Sequence, residues 1–180
     1  MHVETTKIND LLIIHPDVYE DDRGYFFESY NRRSFADINL EIDFVQDNES
    51  LSQINVLRGL HFQDPPHTQA KLIRVIQGSI LDVAVDIRRN SSTYGKNFTI
   101  ELSAKNRKMF FLPKGFAHGF LTLEDDTIFA YKCSTYYQKQ SERTILWNDP
   151  VLNIEWGIDN PILSNKDQEG QLFHSFKSSF

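Results

Sequence analysis

The stretch from Pro65 to Arg88, PPHTQAKLIRVIQGSILDVAVDIR, decides the fold class. It holds two apolar runs, Ala70–Gln77 and Ile80–Ile87, on either side of Gly78-Ser79, and both are rich in Val, Ile and Leu. Short branched runs bounded by turn formers read as β-strands joined by a tight turn. The same pattern recurs along the chain at Leu11–His15, Tyr25–Tyr30, Phe44–Ser50, Val56–Phe62, Asn97–Leu102, Lys108–Leu112, Ala117–Leu123, Ile128–Ser134 and Thr144–Trp147. Gly24, Gly59, Gly78, Gly95 and Gly115 punctuate these runs at or near expected turns. Before the C-terminal region only Asn31–Ile38 reads as helix, with Asn31 as its N-cap. So many short strands at this spacing imply an all-β sandwich or barrel.

Composition narrows the function classes. A chain of 180 residues is expected to form one domain, residues 1–180. A net charge of -6 argues against a nucleic-acid surface, because no basic stretch neutralises many phosphates. Cys133 is the only cysteine, so no intrachain disulfide is possible and a reducing cytoplasm is the simplest compartment. The N-terminus, MHVETTKINDLL, has no apolar core of a signal peptide. No run approaches the roughly 18 apolar residues of a membrane span.

Strand alternation sorts the polar residues by face. In Val56–Phe62 it puts Val56, Arg58 and Leu60 on one side and Leu57, Gly59 and His61 on the other. Gln46 shares a face with Asn48, and Asp82 with Asp86. Polar groups turned into a barrel generally line a cavity, since burying them unpaired is costly.

Two segments, the Arg58–Arg88 region and FLPKGFAHGF (Phe111–Phe120), are similar to the two halves of the cupin motif. That resemblance implies a jelly roll. Metal-binding cupins use His-x-His and a Glu in the first half. Here there is no His-x-His around His61 or His67, and Lys71 stands at the Glu position, while His118 remains in the second half. A cation in place of a carboxylate ligand repels a divalent ion, so no bound metal is expected. A narrower resemblance rests on RGLHFQ (58–63), the Pro65–Arg88 string, STYGK (92–96), FLPKGFAHGF and YKCSTYY (131–137), with DDRGYFFE (21–28) and LSNKDQ (163–168). These strings, in this order from about Ile13 to about Asp167, resemble the dTDP-4-dehydrorhamnose 3,5-epimerase family. One departure is Ser-Glu-Arg-Thr at 141–144, where many members have His-Glu-Arg-Gly.

The chemistry implied is inversion at carbons beside a ketone. It needs a base, an acid on the opposite face and a group that stabilises the enolate oxygen, but no redox cofactor. His61 suits the base, since imidazole titrates near neutrality; the bland alternative is a core histidine bonded to backbone. Asp167 matches the family's imidazole partner, although Ser164-Asn-Lys-Asp167 also reads as a capping box. A phenol keeps its proton at neutral pH and can donate it. Spacing alone does not choose among Tyr131, Tyr136 and Tyr137, and the family motif selects Tyr131. Lys71 is the candidate for the enolate oxygen unless it faces solvent, and His118 supports that oxygen or the sugar.

Arg23 and Arg58 offer the forked donors that diphosphate binding favours. Glu28, Gln46, Asn48, Glu142 and Lys166 match further family positions that contact substrate, and Tyr19 and Tyr137 are candidates to stack on the base. The resemblance thus implies a dTDP-linked 4-keto-6-deoxyhexose as ligand and a homodimer with N-terminal strands paired across subunits. Inversion at a single centre, a metal-dependent cupin and a non-catalytic sugar-nucleotide binder are the competing readings.

Overall fold

A computed structural model describes all residues, Met1–Phe180. The strands are β1 (His2–Thr5), β2 (Leu12–His15), β3 (Tyr19–Asp21), β4 (Gly24–Phe26), β5 (Gln46–Ser52), β6 (Leu57–Gln63) and β7 (Lys71–Gln77). They continue as β8 (Ser79–Asp86), β9 (Asn97–Ser103), β10 (Met109–Leu112), β11 (Phe116–Thr122), β12 (Thr127–Cys133) and β13 (Glu142–Thr144). Two short α-helices, α1 (Arg32–Ala36) and α2 (Asn165–Gln168), and two 3-10 turns, Lys139–Ser141 and Phe173–Ser175, complete the regular structure. Asn31 caps α1, its side chain accepting from the Arg33 amide.

Two antiparallel sheets face one another. One runs β1-β2-β10-β7-β12-β5 and the other β13-β6-β11-β8-β9, so neighbours in space are mostly distant in sequence, as in a jelly roll. Strands β3 and β4 form a separate hairpin. Nine of the eleven expected strands lie within two residues of their expected limits; Tyr25–Tyr30 shrinks to β4, and Thr144–Trp147 moves back to β13. Strands β1 and β3 were not expected, because HVET and YED carry no apolar alternation.

Three apolar layers position the site. Between the sheets lie Ile73, Ile80, Phe110, Phe120 and Phe129, all under 5% exposed. The Phe120 and Phe129 rings stack at 4.3 Å across the interface. Truncating a phenylalanine buried this way costs about 3–5 kcal/mol. The outer face of the five-stranded sheet is covered by the C-terminal chain, including Ile145, Trp147, Trp156 and Phe173. The outer face of the six-stranded sheet packs under Tyr30, Phe35 and Ile38 of the α1 region. Both sheets therefore bury two faces, which frees the polar end of the interior to be a cleft.

One irregularity corrects the expected alternation. Along the β6–β11 pair, His61 opposes His118 while Arg58 opposes Phe120, so three steps on β6 match two on β11. This bulge puts Arg58 and His61 on the same, inward face, and it sends Leu57 and Leu60 outward into the C-terminal layer. Gly59 therefore sits in mid-strand rather than at a turn. Its φ is +134°, and a Cβ there would lie 2.5 Å from Gly119 Cα and 2.9 Å from His118 O. Only glycine fits that conformation and that contact.

Candidate active site

His61 enters the cleft from β6. Its Nε2 lies 2.5 Å from Asp167 Oδ1, while Nδ1 makes no hydrogen bond within the protein. The carboxylate comes from α2, 106 residues away in sequence. Asp167 is 3% exposed and also accepts from Ser164 Oγ at 2.7 Å and from the Gly59 amide at 3.4 Å. Burial pushes its carboxyl up, but the hydrogen bonds from His61 and Ser164 outweigh that and hold it below the ordinary range. The capping role and the histidine contact coexist. Ser164 accepts from the Asp167 backbone amide as N-cap, while the Asp167 carboxylate holds His61.

Tyr131, from β12, stands on the facing sheet. Its neighbours in register are Asn48 on β5 and Ile73 on β7. Burial drives its phenol up to about 12, with the nearby Arg58 pulling the other way. Lys71 faces inward, its Nζ 5.6 Å from the Tyr131 ring centre, and it has no ion-pair partner. Burial lowers the Lys71 ammonium below its ordinary value, opposed by the fields of Cys133, Asp82 and Glu142. Tyr136 and Tyr137 are 63% and 49% exposed, which leaves Tyr131 as the interior phenol of the three.

The remaining candidates fall into two groups. Arg58 donates to Ser52 Oγ at 3.1 Å, bridging the sheets at the cleft mouth. Gln46 Nε2 donates to Asn48 Oδ1, and Asn48 Nδ2 reaches the Cys133 sulfur at 3.7 Å. Glu142 pairs with Lys166 at 2.9 Å and accepts from Tyr137 Oη at 3.2 Å, forming a rim beside His61. His118 is buried and hydrogen-bonds Asp82. Arg23 and Glu28 do not join these residues. Arg23 is exposed on the β3–β4 hairpin and pairs with Asp21, while Glu28 accepts from Asn31. Tyr19 stands on the same hairpin, 66% exposed. Register explains what sequence reading missed. Asp82 was legible as inward-facing, but its partner was not, and Ser52 gave no signal.

No three His, Cys, Asp or Glu side chains converge in a way that could hold a metal ion. What converges instead is a carboxylate-backed imidazole, a protonated phenol from the opposite wall and an unpaired lysine.

Fold and site together define a cupin-like β protein with titratable side chains gathered in its interior. The chain belongs to the dTDP-4-dehydrorhamnose 3,5-epimerase family, whose model matches residues 5–175. That family is of the isomerase class. The dTDP-4-dehydrorhamnose 3,5-epimerase of Shigella flexneri is 49% identical over 174 residues, 96% of each chain. That of Methanothermobacter thermautotrophicus is 50% identical over 167 residues, covering 91% of this chain and 89% of its own. The crystal structure of the Legionella pneumophila dTDP-6-deoxy-D-glucose-3,5-epimerase, in complex with dTDP-4-keto-L-rhamnose, superposes with a TM-score of 0.94. It is 43% identical and covers 98% of this chain and 94% of its own. The jelly-roll and family expectations are thereby met.

Proposed function

We propose that this protein converts dTDP-4-dehydro-6-deoxy-D-glucose to dTDP-4-dehydro-L-rhamnose by inverting C3 and C5. The observation that carries this is the His61–Asp167 pair facing Tyr131 across one cleft. The related epimerases of Shigella flexneri and Legionella pneumophila supply the substrate class. His61 Nδ1 takes the proton beside the ketone, and the imidazolium so formed is stabilised by Asp167. The electron pair moves onto the ketone oxygen, where Lys71 supplies a partly buried cation. Tyr131 returns a proton to the opposite face. Its phenolate, which burial disfavours, then regains a proton from solvent, and His61 releases one. C3 and C5 both flank the C4 ketone, so one oxyanion contact serves both inversions.

Arg58 and the Glu142–Lys166 rim, with Gln46 and Asn48, hold the sugar nucleotide, and Tyr137 flanks its base. Residues 1–180 act as one jelly-roll domain in the cytoplasm. No helix is long and apolar enough to cross a membrane. We further propose a homodimer in which the hairpin carrying Arg23, with Glu28 just beyond it, serves the partner's cleft. Its support is that Tyr19, Tyr25 and Phe26 are 66%, 54% and 68% exposed on that hairpin.

The test is turnover in deuterated water. Deuterium at both C3 and C5 is the expected result. Deuterium at one carbon only overturns double epimerisation, and none at either overturns the function. Mixing His61→Ala with Arg23→Ala protein should restore activity if the hairpin acts across subunits.

A further inference from the structure

A second carboxylate-backed histidine stands beside the first. His118 opposes His61 in the β6–β11 register, and its Nε2 lies 2.9 and 3.1 Å from the two Asp82 oxygens. Asp82, in the middle of β8, is wholly shielded from solvent, and His118 is its only side-chain hydrogen-bond partner. A carboxylate taken out of water needs a donor. The imidazole Nε2–H is the one available, which fixes the hydrogen on that nitrogen. Nδ1 is then left without a partner in the protein. It is not sealed in, because the one buried unpartnered side-chain polar atom in the molecule is Arg107 Nε.

The ring is also held in place by stacking. His118 lies 6.1 Å from Phe129 with 15° between planes, Phe129 is 5.3 Å from Tyr131, and Lys71 sits 5.6 Å from the Tyr131 ring. Asp82 thus anchors one end of a continuous wall that ends at the acid and the lysine. Burial keeps His118 below its ordinary titration range despite the pull of Asp82, so the ring is neutral near pH 7. A neutral ring with hydrogen on Nε2 offers Nδ1 as an acceptor.

We propose that Asp82 is a positioning residue of this site, which locks His118 in the Nε2–H tautomer so that its Nδ1 accepts a hydrogen bond from a hydroxyl of the bound sugar. The enolate oxygen, which needs a donor, is then left to Lys71. This inference rests on the proposed epimerase reading. It separates the two roles open to His118 in favour of the sugar hydroxyl.

The experiment pairs substrate-free 15N NMR of the imidazoles with kinetics of wild-type protein, Asp82→Asn, His118→Asn and the double variant. Wild-type His118 should show a protonated Nε2 and a bare Nδ1, and Asp82→Asn should disturb that pattern. An unchanged His118 spectrum in Asp82→Asn, or a protonated Nδ1 in wild type, overturns the proposal whether or not the protein is an epimerase. In turnover, Asp82→Asn should lower kcat/KM about 5- to 150-fold, the range for one wrongly paired buried polar group. The double variant should be no worse than His118→Asn alone, and losses that multiply instead overturn the coupling. If wild type fails to exchange deuterium into substrate, the function falls and the NMR result alone judges Asp82. If Asp82→Asn does not fold, Asp82→Glu, which keeps the charge, takes its place and should preserve the tautomer.

Discussion

Replacing Asp167 by Asn tests the centre of the mechanism. The substitution keeps shape and an acceptor oxygen but removes the charge 2.5 Å from His61 Nε2. It also adds an amide donor that can bond Nε2 and push the hydrogen to Nδ1, where the base must be free. A charge-assisted hydrogen bond contributes about 1.5–3 kcal/mol, or roughly 10- to 150-fold in rate. Trapping the wrong tautomer raises the loss toward about 10⁴-fold, as when the orienting aspartate of a serine-protease triad is replaced. The expected fall in kcat is therefore about 10²- to 10⁴-fold, measured by steady-state turnover with folding checked by circular dichroism. The acid profile of stability gives a second reading. Because the folded Asp167 carboxyl is held below its ordinary value, its contribution is present above about pH 4 and is lost as pH falls through the folded value. Asp167→Asn should flatten that acid limb. Ser164→Ala, which removes the cap, should cost about 1 kcal/mol of stability and much less kcat. An Asp167→Asn protein retaining a third of wild-type kcat refutes the role given to the carboxylate.

Tyr131→Phe should reduce product formation by about 10²- to 10⁴-fold while substrate still exchanges deuterium at the carbons His61 reaches; product at the wild-type rate excludes Tyr131 as the acid. On the alkaline side, activity should fail through Lys71 before Tyr131. The ammonium is the working form and burial lowers it, so activity is full below that value and lost as pH rises through it, whereas the phenol holds its proton to about pH 12. A kcat/KM profile flat to pH 11 contradicts this. Gly59→Ala should destabilise by about 3 kcal/mol or more in urea titration, since it combines a positive φ with a 2.5 Å clash against Gly119; a stability within 1 kcal/mol of wild type shows that the bulge relaxes freely.

Fold class and most of the strands were legible in the sequence, because alternation and turn residues are local signals. Its ordered motifs also determined the family. It identified Lys71 as the departure from a cupin metal site, and it named His61, Tyr131 and Asp167. It could not place Arg58 and His61 on one face, because the bulge depends on Gly59 meeting Gly119 on a strand about 60 residues away. It left Asp167 divided between cap and dyad, and only folding showed that its backbone amide donates to the Ser164 cap while its carboxylate holds His61. Likewise Asp82 was legible as inward-facing, but its pairing with His118 exists only once β8 and β11 lie side by side. Arg23 and Glu28, matched by motif, stand apart from the cleft, on and just beyond the exposed hairpin. Local periodicity reports which way a side chain points along its own strand. Which partner it meets is decided by register between strands far apart in sequence, and the chemistry proposed for this protein rests on those partners.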